Sequence, residues 1–234
     1  SPSQYEKLTE ILNNNCSTDI SLRKRLAVEA FNKSSVYDLK IFSYLNESND
    51  SIELRYGENP HQKGRFIGSF NECFEQINGK EISYNNLLDI DSSINLLRDL
   101  VSDKSVFLIH KHNNPCGVAI RDSLTEAYND SLASDNISAF GGILTTNKIV
   151  DENTANQINE LFFEILIAPD FENGALKVLK SKKKRILIKL KKIPKKSIHR
   201  RTCLNGELEQ DFDNKTETFE NFKVVTNISP DKNN

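Results

Sequence analysis

The chain has 234 residues, 37% apolar and 27% charged, with a formal net charge of −2, an ordinary balance for a soluble globular protein that gives no global signal for nucleic acid or an acidic ligand. No run of about 18 apolar residues is present, so no membrane-spanning helix is expected, and the polar opening SPSQYEKLTE is not read as a secretory signal. Cys16, Cys73, Cys116 and Cys203 share no spacing pattern, which favours free thiols and a cytoplasmic protein over a disulfide framework. There is no methionine, even at position 1, so the chain is expected to be a piece of a longer protein. Residues 1–46 read as helical. Leu22, Leu26, Ala27, Ala30 and Phe31 form one stripe at helical spacing with Ser21 as a candidate N-cap, and VYDLKIFSYL (36–45) gives a second, short helix. NESNDS (46–51) is a polar linker and a plausible boundary.

From residue 51 strands and helices alternate. DIDSSINLLRDLV (89–101) is a helix with Ile90, Ile94, Leu97 and Val101 inward, and SVFLI (105–109) is a short continuous apolar run expected of a buried strand. SLTEAYNDSLAS (123–134) opens with Ser123 and Glu126 at capping-box spacing. GGILTT (141–146) is strand-like, 154–165 helical, LIA (166–168) strand-like, ENGALKVLKS (172–181) helical and RILIKL (185–190) strand-like. The alternation predicts an α/β fold, a layered sheet with flanking helices preceded by a short helical segment. Residues 177–201 hold 13 of the 31 basic residues. RNA binding is one reading, but no aromatic residue is interleaved, and charged protection of an edge strand explains the lysines as well. A polar end closes the chain.

The stretch HKHNNPCG (110–117) follows the predicted strand 105–109, where α/β ligand sites usually lie, and Asn114, Pro115 and Gly117 read as turn residues. Four readings stand beside each other. His110, His112 and Cys116 could be metal ligands, but His112 is not followed by x-Glu and Cys116 is not followed by x-x-Cys, the spacing of zinc deaminases. Cys116 could be a nucleophile activated by His112. Lys111 and His112 could be an acid–base pair, the lysine cation favouring neutral imidazole. Adjacent strand residues point to opposite faces, so that pairing needs a turn or bulge at 111–112. A plain structural turn is the fourth.

Read together and in order, LRYGENPHQ (54–62), NGKEISYNNLLDIDSS (78–93), KHNNPCG (111–117), SDNISAFGG (134–142) and IAPDFENGAL (167–176) closely resemble the transformylase domain of the AICAR transformylase/IMP cyclohydrolase family of purine biosynthesis. The resemblance implies a cytidine deaminase-like fold without zinc. It also implies that residues 1–50 are the end of the cyclohydrolase domain and its linker, and 51–234 the first half of the transformylase domain. The implied reaction moves a formyl group from the co-substrate 10-formyltetrahydrofolate to the 5-amine of AICAR. His112 is implied as the base and Lys111 as the group facing the oxyanion and the leaving nitrogen. Arg55 and Tyr56 are implied to hold the nucleotide 5′-phosphate, with Gly141 allowing close backbone approach. Phe140 is a candidate for the same pocket, and Glu164, where many relatives carry aspartate, a candidate for a ribose hydroxyl. A homodimer is expected of the full-length protein, with no metal, nucleic acid or membrane partner, and the isolated chain is expected to be inactive.

Overall fold

A computed structural model describes residues 2–15, 17–45, 51–100, 102–215 and 217–229. The chain divides into two compact units, Ser1–Asn49 and Asp50–Asn234. The first unit holds α1 (Tyr5–Asn15) and α2 (Ile20–Leu45). Where two helices were expected after residue 20, one runs for 26 residues. Its cap is not Ser21, which lies inside the helix, but Asp19, whose carboxylate accepts the Leu22 N–H at 2.6 Å, because a side-chain acceptor must precede the first turn to reach its unpaired donors. Leu22 and Leu26 are half-buried and share a shallow groove with Leu8 and Ile11, whereas Ala27, Ala30 and Phe31 of the same stripe are exposed. Of the expected linker 46–51, residues 46–50 fall outside the described residues, as does the inward Val101, and Ser51 opens a strand.

The second unit opens with a hairpin of β1 (Ser51–Leu54) and β2 (Gly64–Ile67), then α3 (Phe70–Cys73), β3 (Phe74–Asn78) and α4 (Tyr84–Asp99). It continues through β4 (Ser105–Lys111), β5 (Asn114–Arg121), α5 (Leu124–Ser134), β6 (Ile143–Thr146), α6 (Glu152–Glu160), β7 (Ile165–Ala168), α7 (Asn173–Leu179) and β8 (Ile186–Leu190), and ends in the hairpin β9 (Ile198–Cys203) and β10 (Gly206–Asp211). One six-stranded sheet runs in the order β3-β8-β7-β6-β4-β5. The β6–β7 and β7–β8 pairs are parallel, and the other three antiparallel. Side chains alternate through it. Phe107, Ile109, Leu144, Leu166 and Leu187 meet α5, α6 and α7 on one face, while Val106, Leu108, Ile143, Ile165, Ile167 and Ile188 meet Ile90, Ile94 and Leu97 of α4 on the other. The protein is therefore an α/β layered sheet with helices on both faces and a helical segment before it, and sheet strands covered on both sides explain the continuous apolar runs of the sequence.

Three expectations are corrected. Asn114, Pro115 and Gly117 are not turn residues but part of the strand Asn114–Arg121, paired antiparallel to β4; its polar start disguises it. The strand at 186–190 is not an edge, because β3 pairs with its outer side through Phe74↔Leu190 and Gln76↔Ile188, a contact across more than a hundred residues that local pattern does not contain. The helix expected over 154–165 ends at Glu160. Part of the basic stretch around β8 is paired within the unit: Lys189 pairs with Asp170 at 2.6 Å, Lys192 with Glu72 at 3.2 Å, Lys196 with Asp91, and Arg200 with Glu209 at 2.7 Å. The buried Arg185 guanidinium lies over the Phe163 ring at 4.1 Å.

Candidate active site

A cleft of about 620 Å³ opens where the carboxyl end of β4 adjoins the amino ends of β6 and β7. Arg55, Tyr56, Lys111, His112, Gly141 and Glu164 all line it. The Phe140 side chain does not: it is 59% exposed and leans on Phe162, ring centroids 4.9 Å apart.

The His112 position follows from a hairpin. Lys111 pairs with Asn114, and the two residues between them, His112 (φ 53°) and Asn113 (φ 61°), are both left-handed, which is the type I′ geometry that matches the twist of antiparallel strands. Because the chain reverses at 112, Lys111 and His112 reach one cleft although they are sequence neighbours. A register shift beside His110 relaxes the pairing just before the turn. The Lys111 ammonium donates to the Phe140 carbonyl at 2.8 Å, so Phe140 enters the site through its backbone.

Gly141 (φ +75°) ends a turn built by Asp135, whose carboxylate accepts the Ser138 N–H at 2.9 Å; those Ser138 hydrogen bonds, from side chain and backbone, hold the Asp135 carboxyl below the usual range. The Gly141 N–H donates to the Phe162 carbonyl at 2.7 Å. A Cβ on Gly141 would meet the Phe162 ring only at 3.6 Å, so the backbone angle, rather than space, calls for glycine.

Arg55 and Tyr56 follow β1, with the guanidinium carbon 5.1 Å from the Tyr56 ring centroid. Their loop is closed by Gly57 N–H to Gln62 O at 2.7 Å and tied to α4 by the Asn85 amide, which donates to the Glu58 carbonyl at 3.3 Å. Glu164 accepts from the Asn86 amide at 3.2 Å and from Lys80 at 3.4 Å. Asn86 itself completes the capping box with Ser83 that starts α4. Sequence reasoning singled out none of Lys80, Asn86 and Asp89, though all three lie within the quoted stretch 78–93 and line the cleft.

Neither zinc nor thiolate chemistry gains support. His110 is a buried strand residue, 1% exposed, His112 is at the exposed turn, and the Cys116 thiol faces the Ile109 carbonyl at 3.5 Å. Among the described residues no group of three His, Cys, Asp or Glu side chains is placed to hold a metal ion. Burial pushes the Cys116 thiol up, away from the thiolate a nucleophile needs. No helix among the described residues is long and apolar enough to cross a membrane.

The cleft at the sheet end is polar, lined by the cations Arg55, Lys80 and Lys111, the turn-borne His112 and the carboxylates Glu58, Glu81, Asp89 and Glu164. The chain belongs to the AICARFT/IMPCHase bienzyme family, whose model matches residues 1–234. It is similar to the bifunctional purine biosynthesis protein PurH of Bacteroides thetaiotaomicron, 44% identical over 242 residues covering 98% of this chain and 47% of that protein. PurH of Chlorobium phaeobacteroides is 38% identical over 95% of the chain and 47% of its own length, and PurH of Thermoanaerobacter sp. 37% over 98% and 48%. The chain thus spans about half the length of these curated relatives.

Proposed function

We propose that the protein carrying this chain transfers the formyl group of 10-formyltetrahydrofolate to the 5-amine of AICAR in IMP synthesis, with IMP cyclohydrolase activity in the full-length enzyme. On this reading residues 1–50 close the cyclohydrolase domain and 51–234 begin the transformylase domain of a cytoplasmic homodimer. The observation that carries it is the convergence of Arg55, Tyr56, Lys111, His112, Gly141 and Glu164, drawn from separate stretches of sequence, on one cleft.

The chemistry explains why these types are needed. The amine of AICAR is conjugated with a ring and a carboxamide and is a weak nucleophile. His112 takes its proton as nitrogen attacks the formyl carbon, forming the new N–C bond. The carbonyl electron pair moves onto oxygen, where the Lys111 ammonium faces the developing negative charge. As the tetrahedral intermediate collapses, the bond from carbon to the folate nitrogen breaks. That nitrogen takes a proton from the Lys111 ammonium, which the proton held on His112 restores, so that tetrahydrofolate and formylated AICAR are released with no net proton gained or lost. Arg55 and Tyr56 take the 5′-phosphate through charge-assisted hydrogen bonds, Gly141 lets the nucleotide approach the backbone, and Glu164 accepts from a ribose hydroxyl.

The test is a formyl-transfer assay of the full-length protein with AICAR and 10-formyltetrahydrofolate, without added metal. Tetrahydrofolate release dependent on AICAR supports the reading; its absence at millimolar AICAR overturns it.

A further inference from the structure

The turn that carries His112 is an expensive one. Both of its central residues are left-handed and neither is glycine. Type I′ turns favour Asn-Gly or Gly-Gly there, so a His-Asn pair has a weaker preference for the geometry. Such a conformation persists when its surroundings over-determine it.

Those surroundings are specific. The half-buried Asp89 carboxylate accepts the Asn113 N–H at 2.6 Å. The Ser92 hydroxyl, three residues further along α4, donates to the Asn113 carbonyl at 3.1 Å. The Asn114 side-chain amide donates to the His112 carbonyl at 3.0 Å. Three backbone polar groups of the two peptides at the tip of the turn are thus held, two of them from a different element. Spacing of three places Asp89 and Ser92 on one face of α4, and the buried Ile90, Ser93, Ile94 and Leu97 fix that helix against the sheet. The clamp therefore refers the turn to the rigid core and not to the hairpin alone.

We propose that Asp89 and Ser92 are positioning residues: by gripping both sides of the Asn113 peptide they hold the His112–Asn113 turn left-handed and set where the His112 imidazole stands in the cleft. Asp89 acts through a backbone amide and not on the substrate. Its consequence for catalysis rests on the formyl-transfer reading, whereas the clamp does not.

Two readouts in the full-length protein keep these apart. In hydrogen–deuterium exchange, the peptide covering 110–117 is expected to exchange faster in Asp89→Ala than in the parent. Asp89→Asn, which keeps an acceptor oxygen at the same reach, should exchange as the parent does. In formyl transfer, Asp89→Ala should lower kcat at least ~10-fold with KM for AICAR held within about two-fold, Ser92→Ala should lose less, and Asp89→Asn should recover most of the rate, as expected for misplacement of a catalytic group. Unchanged exchange in Asp89→Ala overturns the clamp, and a kcat within two-fold of the parent or an equal loss in Asp89→Asn overturns its positioning of His112. If the parent itself transfers no formyl group, the reading of the reaction fails, and exchange alone decides whether Asp89 holds the turn.

Discussion

Gly117 on β5 lies against the Ser131 carbonyl of α5 so closely that an added Cβ would stand 2.1 Å from that oxygen. Ser131 is fixed in turn, its hydroxyl donating to the Phe107 carbonyl of β4 at 2.7 Å while its own residue is fully buried. Helix α5 therefore sits directly on the hairpin that presents His112, and backbone on both sides leaves nothing flexible to yield. Gly117→Ala should force the helix off the sheet at an overpacking cost of about 1–3 kcal/mol. A fall in Tm of several degrees, measured by calorimetry against the parent, is the expected result. An unchanged Tm would show that the contact relaxes freely.

His110 gives a pH signature. It is 1% exposed, its Nδ1 has no hydrogen-bond partner, and burial lowers its pKa from 6.5 to about 4. The unfolded chain takes up a proton on this ring below about pH 6.5 and the folded one only near 4, so the contribution is present in full above pH 6.5 and drains away as pH falls between those values. Linkage puts the loss at about 2 kcal/mol by pH 5. Denaturant unfolding at pH 7.5 and pH 5 is expected to show this loss in the parent and a smaller one in His110→Leu. Equal pH dependence in both would remove His110 as its source.

Much of the core is legible in the sequence, and the reasons are local. Buried strands such as 105–109 (SVFLI) and 186–190 (ILIKL) are short, mostly apolar runs, and the Ser123/Glu126 pair meets both halves of a capping box. What was not legible depended on distant partners or on polar strands. β9 and β10 are exposed along their whole length and carry no alternation of burial. β5 begins with residues that ordinarily mark turns, and β8 became an interior strand only through β3. In the cleft, the ordered motifs cover several of the stretches that line it, but a motif does not say which backbone groups its own polar residues hold. That is why Asp89, acting through a peptide N–H, emerged only from geometry, as did the carbonyl in place of the ring at Phe140.

Arg55 tests phosphate recognition separately from chemistry. It is exposed at the rim of the cleft, placed over Tyr56, and a guanidinium fork suits a phosphate dianion. Arg55→Ala should weaken AICAR binding by about 1.5–3 kcal/mol, the scale of a lost charged hydrogen bond. The unphosphorylated riboside should bind nearly as before. Calorimetric titration of both ligands decides it, and equal losses would place Arg55 away from the phosphate.

His112 is the sharpest test, because its role and its placement make different demands. As the base it must be unprotonated and within reach of the amine; as a turn residue it must tolerate φ 53°. His112→Ala removes the base and strains the turn, whereas His112→Asn keeps a residue that accepts left-handed backbone and still removes the base. Both variants should lower kcat for formyl transfer by at least about 10²-fold, the usual scale for a lost general base, with AICAR affinity little altered because Arg55 and Tyr56 remain. If His112→Asn kept near-parent turnover while His112→Ala did not, the histidine would matter for the turn alone and the base would have to be sought elsewhere in the cleft. Steady-state kinetics beside equilibrium binding of AICAR to each variant separates the two outcomes.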